Sequence, residues 1–281
     1  MAYQYPNLWQ GCVGAWCPSV DRSRSALLTD FSGRGNNGLL TGMDPGTGWV
    51  ASHGKIALDL DGSGDRIAVA HNAAFNITDS ITLCGWVNLR SIDSGRYTAL
   101  IDKNRDTQWS LLASYSADPK VRFICNIGGV RRDSWQSGMG SSMPVGEWVH
   151  LTGSYSPGVV RIFLNGILNA EYTSWSGAIG TNTGGMTLGT MSGYESSGIN
   201  GLTDDLRIYN RALDPSEVAQ LASRRGVAYT PMPRRRVYIM GSGGGTRGLR
   251  LGSTTINKAY LGSTEIKKVY LGATLIHDTT G

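Results

Sequence analysis

Residues 199–226, INGLTDDLRIYNRALDPSEVAQLASRRG, read as one strand, one turn and one short helix. Leu202, Leu206, Ile208 and Tyr209 are the apolar groups of the strand. Asp214-Pro215-Ser216-Glu217 then opens the helix: Asp214 caps it, Pro215 takes the first helical position and Glu217 reaches back to the cap. Gly226, following Arg224 and Arg225, ends it. Two adjacent carboxylates, Asp204 and Asp205, ride on the strand, where alternation predicts one side chain pointing inward and the other outward.

The rest of the large N-terminal region repeats the grammar of that strand. Segments WQGCVGAWC (9–17), LDLDGSGDRIAV (58–69), ITLCGWVNL (81–89), WSLLASY, VRFICNI, WVHLTGSY, VVRIFLNG and MTLGT are short, alternating and closed by Gly, Asn, Asp or Pro. Asn165-Gly166 has the chemistry of a two-residue hairpin turn, with Ile167 and Leu168 returning. The 39 glycines and few long amphipathic runs agree with many short strands and tight turns. This density predicts two stacked antiparallel sheets with one short closing helix, and Trp16, Trp86, Trp148, Phe123 and Phe163 filling the interior.

Past Gly226 the chemistry changes. VAYTPMPRRRVYIMGSGGGTRG has two prolines, three successive arginines and a glycine run, which is connector composition. It is followed by a repeat of period ten: LGSTTINKAY (251–260), LGSTEIKKVY (261–270) and LGATLIHD (271–278). Each repeat predicts a short strand, a turn and a second short strand, and so little apolar surface must pack on further copies or on another body. The expected division is a sandwich at 1–226, a basic linker at 227–248 and a β-repeat module at 249–281 that anchors or oligomerises. Residues 1–225 carry 18 Lys and Arg against 19 Asp and Glu, whereas 226–281 carry eight against two, so the basicity belongs to the tail. The large region offers no basic stripe for nucleic acid.

Several chemistries find no support. Cys12, Cys17, Cys84 and Cys125 lack metal-ligand spacing and read as buried thiols. No signal-like N-terminus and no run of 18 apolar residues occurs, so neither secretion nor membrane insertion is expected. Asn76-Ile77-Thr78 fits a glycosylation sequon but reads as a turn. His53, His71, His150 and His277 stand apart, without HExxH or GxSxG, and GSGGGTRG lacks the end of a phosphate-binding loop. The five glutamates, at 147, 171, 195, 217 and 265, are isolated, and Asp59 and Asp61, which share a face, read as strand and turn, so a two-carboxylate glycosidase is not expected. Exposed aromatic faces beside amide and acid side chains would suit a sugar. Trp109, Trp135, Trp175 and Tyr194, in RDTQWS, RRDSWQSG, YTSWSG and SGYESSG, are the glycan-binding candidates; the alternative is that they pack loops against the sandwich.

INGLTDDLRIYNRALDPSE, DFSGRGNNGLL (30–40), ALDLDGSGDRIAV (57–69), ITLCGWVNL, GEWVHLTGSYS and VVRIFLNGIL together resemble, in order, the laminin-G-like jelly rolls of the concanavalin A-like lectin/glucanase superfamily. The resemblance covers roughly residues 8–225. It implies an all-β, two-sheet antiparallel jelly-roll sandwich in which first and last strands are neighbours. It also implies a possible calcium site, with Asp30, Asn36 and Asn37 of the DFSGRGNNG turn and Asp204 or Asp205 as oxygen ligands. The other reading of these acids is that Asp30 caps its own turn and Asp205 pairs with Arg207 or another surface base. The Tyr-Leu-Gly-Ser/Ala-Thr tail, with LWQGCVGAWCPSV and LASRRGVAYTPMPRRR, resembles laminin-G-like proteins of phage and prophage type. That resemblance implies a non-enzymatic virion structural protein, assembled in the host cytoplasm and carried on a tail appendage or the capsid surface. Its partners would be other virion proteins through residues 227–281, copies of itself, and a host cell-surface glycan. A bacterial carbohydrate-binding or adhesion protein, and a decoration protein without a ligand, are the alternatives.

Overall fold

The computed structural model describes residues 3–231 except 93–96, 116–119, 135–141 and 196–197, and beyond them the strands between Tyr238 and Asp278. It divides into two compact units, Ala2–Thr230 and Pro231–Gly281.

The first unit is a sandwich of two antiparallel sheets. One sheet runs Ile167–Tyr172, Val159–Leu164, Val149–Ser156, Ile81–Leu89, Asn200–Tyr209, Lys55–Asp61, Trp49–Ser52. Its eighth strand, Cys12–Trp16, also pairs with Asn200–Tyr209, so the first and last strands are neighbours. The facing sheet runs Val130–Asp133, Arg122–Ile127, Trp109–Tyr115, Tyr97–Lys103, Met186–Leu188, Arg66–Val69, Gly38–Thr41, Leu27–Leu28. Alternation sends Leu83 and Val87, Leu111 and Ala113, Phe123 and Cys125 into the space between them. All four cysteines are buried and free.

Local signals act as their chemistry dictates. Leu164 pairs with Ile167 across Asn165 and Gly166, whose φ angles of 49° and 80° make the primed turn that matches strand twist. The helix Pro215–Ala222 starts in a capping box: Asp214 accepts from the Glu217 N–H at 2.9 Å, and Glu217 accepts from the Asp214 N–H at 3.2 Å. The Arg211 guanidinium grips both Glu217 oxygens at 2.6 and 2.7 Å. The helix ends at Ala222, before Gly226, which instead takes a left-handed φ of 69° to start a 3-10 turn over Val227–Tyr229. Val227, Ala228 and Tyr229 are buried, so the sandwich unit runs to Thr230, four residues beyond the expected boundary. Val227 and Ala228, with Leu213, Val218 and Leu221, cover Cys12, Cys84, Phe163 and Tyr209 on the outer face of the first sheet.

The aromatic core is narrower than expected. Trp16 and Phe123 lie between the sheets, but Phe163 follows Ile162 and therefore faces the helix side. Trp86 precedes the inward Val87 and packs edge-on against His150, while Trp148 is half-buried beneath the Arg225 guanidinium, 4.1 Å from its ring.

The strand Asn200–Tyr209 changes neighbours half-way. Residues 200–203 pair with Lys55–Asp61 and residues 206–209 with Cys12–Trp16, while Ile81–Leu89 follows along the other side with a register shift between Asp204 and Arg207. At that bulge Asp205 has a φ of 50°, which breaks the alternation. Both Asp204 and Asp205 therefore turn inside, at 0% and 2% exposure, against the expected in-and-out arrangement. Gly85 makes room for the bulge on the adjoining strand, because a Cβ there would sit 2.4 Å from Leu206.

The second unit forms hairpins in step with the ten-residue repeat. Leu251 pairs with Thr254, Leu261 with Thr264 and Leu271 with Thr274, and Tyr238–Ile239 adds a strand to the first hairpin.

Asp205 Oδ1 accepts from the fully buried Arg207 Nε at 2.8 Å. Asp205→Ala strands that guanidinium, and chemical denaturation is expected to show a loss of about 3–5 kcal/mol, partly recovered in Asp205→Ala/Arg207→Met.

Candidate functional site

Most oxygens of the expected calcium ligands are already engaged by donors, and Asp204 Oδ2 faces Arg225 Nη1 at 3.5 Å. Asp30 Oδ1 accepts from the Ala15 and Ser32 N–H groups at 3.0 and 2.9 Å, and Oδ2 accepts from Ser32 Oγ and the Asn36 N–H at 2.8 and 2.9 Å. Asn37 Oδ1 accepts from the Asp30 N–H, the Asn36 carbonyl from Trp16 Nε1, and Asn36 Oδ1 from Asn72 Nδ2. Asp204 Oδ1 accepts from the Ser19 and Asp205 N–H groups, and Asp205 Oδ2 from the Gly226 N–H at 3.0 Å. Calcium needs six to eight oxygens with free lone pairs. Asp30, Asn36, Asn37, Asp204 and Asp205 do not fit it: Asp30 staples its turn to the first strand, and Asp205 pairs with Arg207. Among the described residues no group of three His, Cys, Asp or Glu side chains is placed to hold a metal.

The four aromatic candidates separate as well. Trp109 alternates with the outward Ser110 and lies wholly between the sheets. Trp175 is buried against Tyr172, with ring centroids 5.7 Å apart. Trp135 lies outside the described residues. Tyr194 alone of the described three is exposed, at 45%.

Tyr194 belongs to a built surface on the outer face of the second sheet. Its ring meets Tyr97 edge-on with centroids 5.0 Å apart. The Arg105 guanidinium lies 4.8 Å from the Tyr97 centroid and 5.3 Å from that of Tyr194. Ala99, Leu112, Ile124 and Met191 form the buried apolar floor on which Tyr97 packs. Two loops bring the partners together, and one buried carboxylate holds both. Asp102 Oδ2 accepts from the Asn104 N–H at 3.1 Å and from the Ser192 N–H at 3.0 Å. Asn104, with a φ of 59°, turns the chain after Lys103 and so directs Arg105 back over the sheet. Burial pushes the Asp102 carboxyl up, and the N–H bonds oppose that shift. At the rim Asp106 lies 3.7 Å from Arg105 Nε and 3.6 Å from Arg131 Nη1. An exposed ring on a fixed cation, with an acid and a second arginine alongside, can stack on a sugar face and hydrogen-bond its hydroxyls. Sequence reading missed Tyr97 and Arg105. The Asn104-Arg105-Asp106-Thr107 turn was the available signal, but the meeting of Tyr97 with Tyr194 is set by strand order alone.

Residues 61–219, more than half of the chain, match the Laminin_G_3 family, described as the concanavalin A-like lectin/glucanases superfamily. The chain belongs to this superfamily. Among solved structures, this lectin-like sandwich is similar to domain 4 of AbnA, an extracellular arabinanase from Geobacillus stearothermophilus, solved in complex with arabinotriose. The TM-score is 0.58 at 19% identity, over 75% of this chain and 98% of that one. It is also similar to the binding domain of Paraclostridial Mosquitocidal Protein 1, with a TM-score of 0.58 at 17% identity over 76% of this chain and 52% of that one. The ligand binding domain of botulinum neurotoxin serotype D, in complex with N-acetylneuraminic acid, gives 0.56 at 14% identity over 77% and 52%. At such identities the likeness is one of fold, and the chain spans about half the length of the two toxin domains. No curated protein matches the sequence at a significant level.

Two predictions arise from these environments. Added calcium is expected to leave the melting temperature unchanged, while Asp30→Ala, by orphaning several N–H donors, costs about 2–4 kcal/mol with or without calcium. The second concerns pH. Burial holds the His150 imidazole down at about 4, whereas burial and the adjacent Asp205 push the Asp204 carboxyl up to about 6. Between those values and the unfolded pKa values of about 6.5 and 3.9, the unfolded chain binds the His150 proton and the native chain the Asp204 proton. Acid therefore destabilises through His150 and stabilises through Asp204. Asp204→Asn removes the second effect, so its loss of stability between about pH 6.5 and 4 should exceed that of the parent by roughly 2–3 kcal/mol in urea titrations. An equal loss contradicts the assignment.

Proposed function

We propose that this protein is a non-enzymatic virion component of a bacteriophage, in which the lectin-like sandwich is displayed outward to contact a host-surface glycan. The tail beyond Thr230 holds it to other virion proteins or to further copies of itself. The observation that carries the glycan reading is the exposed Tyr194 ring fixed over Tyr97 and Arg105, with Asp106 and Arg131 at its rim. The superfamily supports it, as do the sugars in the arabinanase and neurotoxin structures.

A non-catalytic role is supported by the partners of the carboxylates. Glu217 is gripped by Arg211 and its helix cap, Glu171 pairs with Arg161 at 2.7 Å, Asp59 pairs with Arg90, and Asp61 accepts from the Ser63 N–H. Glu217, Glu171 and Asp59 are thus each paired with an arginine, which disfavours them as acid or nucleophile. The virion placement rests on the period-ten hairpins and on the net charge of the tail, eight basic residues against two acidic, which suits an acidic partner. The near-complete overlap with domain 4 of an arabinanase favours a second reading, an accessory carbohydrate-binding module.

A glycan array should give a signal that Tyr194→Ala abolishes without lowering the melting temperature. Mass spectrometry of purified virions should find the protein, and deletion of residues 237–281 should remove it from particles while leaving glycan binding intact. Absence from particles, with glycan binding retained, would move the protein to the second reading.

A further inference from the structure

An open cleft lies beside the loop that leads from Cys12–Trp16 of the first sheet to Leu27–Leu28 of the second. The Asp21 carboxylate accepts from the Ser23 and Thr29 N–H groups, both at 2.8 Å, and so draws together the ends of an exposed loop. That loop carries Arg22 and Arg24, and Arg24 is held at a φ of 45°, a region that disfavours side chains other than those of Gly, Asn and Asp. Arg22 and Arg24 line the cleft, of about 580 Å³, with Ser19, Val20, Asp21 and Ile56 along the rest of its wall, the Asp21 carboxylate being held by its own loop.

Cations outnumber carboxylates in this corner, Arg22, Arg24, Lys55 and Arg225 against Asp21 and Asp204. Lys55 is next in sequence to Ile56, and it donates through Nζ to the Arg225 carbonyl. The two carboxylates nearby are already engaged: Asp21 by its loop, and Asp204 by the Ser19 and Asp205 N–H groups and by Arg225 Nη1 at 3.5 Å. Among the described residues, neither Arg22 nor Arg24 uses its guanidinium in an ion pair or hydrogen bond within the chain. Residues 1–225 as a whole hold one more acid than base, so this local excess of cations is not a general property of the surface.

We propose that the cleft binds a sugar bearing a carboxylate, with Arg22 and Arg24 as the groups that recognise the anion. Two guanidinium forks match a planar carboxylate in a bidentate manner that neutral sugars cannot use. An open, polar cleft of this size suits a hydrated saccharide unit, and Ile56 offers an apolar wall for the C–H face of the ring. The site is separate from the Tyr194 surface, so either can fail without the other.

The test is calorimetric titration of the full chain with digalacturonate and with neutral galactobiose, at about 20 mM and about 200 mM salt. Digalacturonate is expected to bind at least about tenfold more tightly than galactobiose, with affinity falling as salt rises. Arg22→Gln/Arg24→Gln should weaken it by at least about tenfold without changing the melting temperature, and Tyr194→Ala should leave it unchanged. Failure of digalacturonate to bind, equal binding of galactobiose, or binding that survives Arg22→Gln/Arg24→Gln would overturn the proposal. So would its loss in Tyr194→Ala, which would assign the anion to the other surface.

Discussion

The Asp205–Arg207 pair, wholly enclosed at the bulge of the closing strand, is the constraint around which the sandwich is arranged. Burying two charges is costly unless each finds partners at good geometry. Asp205 meets this with Arg207 Nε on one oxygen and the Gly226 N–H on the other. Arg207 is further enclosed by the Trp9 and Tyr229 rings, 4.7 and 4.9 Å from its Cζ. Those rings come from the two ends of the domain, and Trp9 Nε1 donates to the Ala228 carbonyl. The N-terminal segment, the last strand and the turn after the helix are thus tied to one ion pair. Removing any of them exposes charge.

That closure fixes the scaffold on which surface chemistry depends. With the first sheet sealed on its outer side by helix and termini, the second sheet is free to present loops. There Asp102 repeats the device on a smaller scale, one buried carboxylate holding Asn104 and Ser192 so that Arg105 and Tyr194 meet. Around Arg22 and Arg24 it recurs again through Asp21. In this chain buried aspartates position loops, and Arg22, Arg24 and Tyr194 face outward.

Much of the architecture was legible because its signals are local. Asn165-Gly166 needs positive φ at both positions, and Asp214-Pro215-Ser216-Glu217 carries its capping box within four residues. The site was less legible because its determinants are not local. Alternation predicted that only one of Asp204 and Asp205 would be buried, and it failed where the strand exchanges one neighbour for another. Trp109 looked like a loop aromatic in RDTQWS, yet it begins a strand whose inward set is Trp109, Leu111 and Ala113. Tyr97 and Tyr194 are far apart in sequence and meet because strand order sets Tyr97–Lys103 beside Met186–Leu188, from which the chain runs on to Tyr194.

Amide hydrogen exchange tests the role of the buried pair most directly. If the bulge holds the domain closed, the Gly226 N–H that donates to Asp205 should exchange only through global unfolding, as slowly as amides of the central strand Ile81–Leu89. Exchange of Gly226 at the rate of exposed loops, while Ile81–Leu89 stays protected, would show that the sandwich stands without this ion pair at its seam.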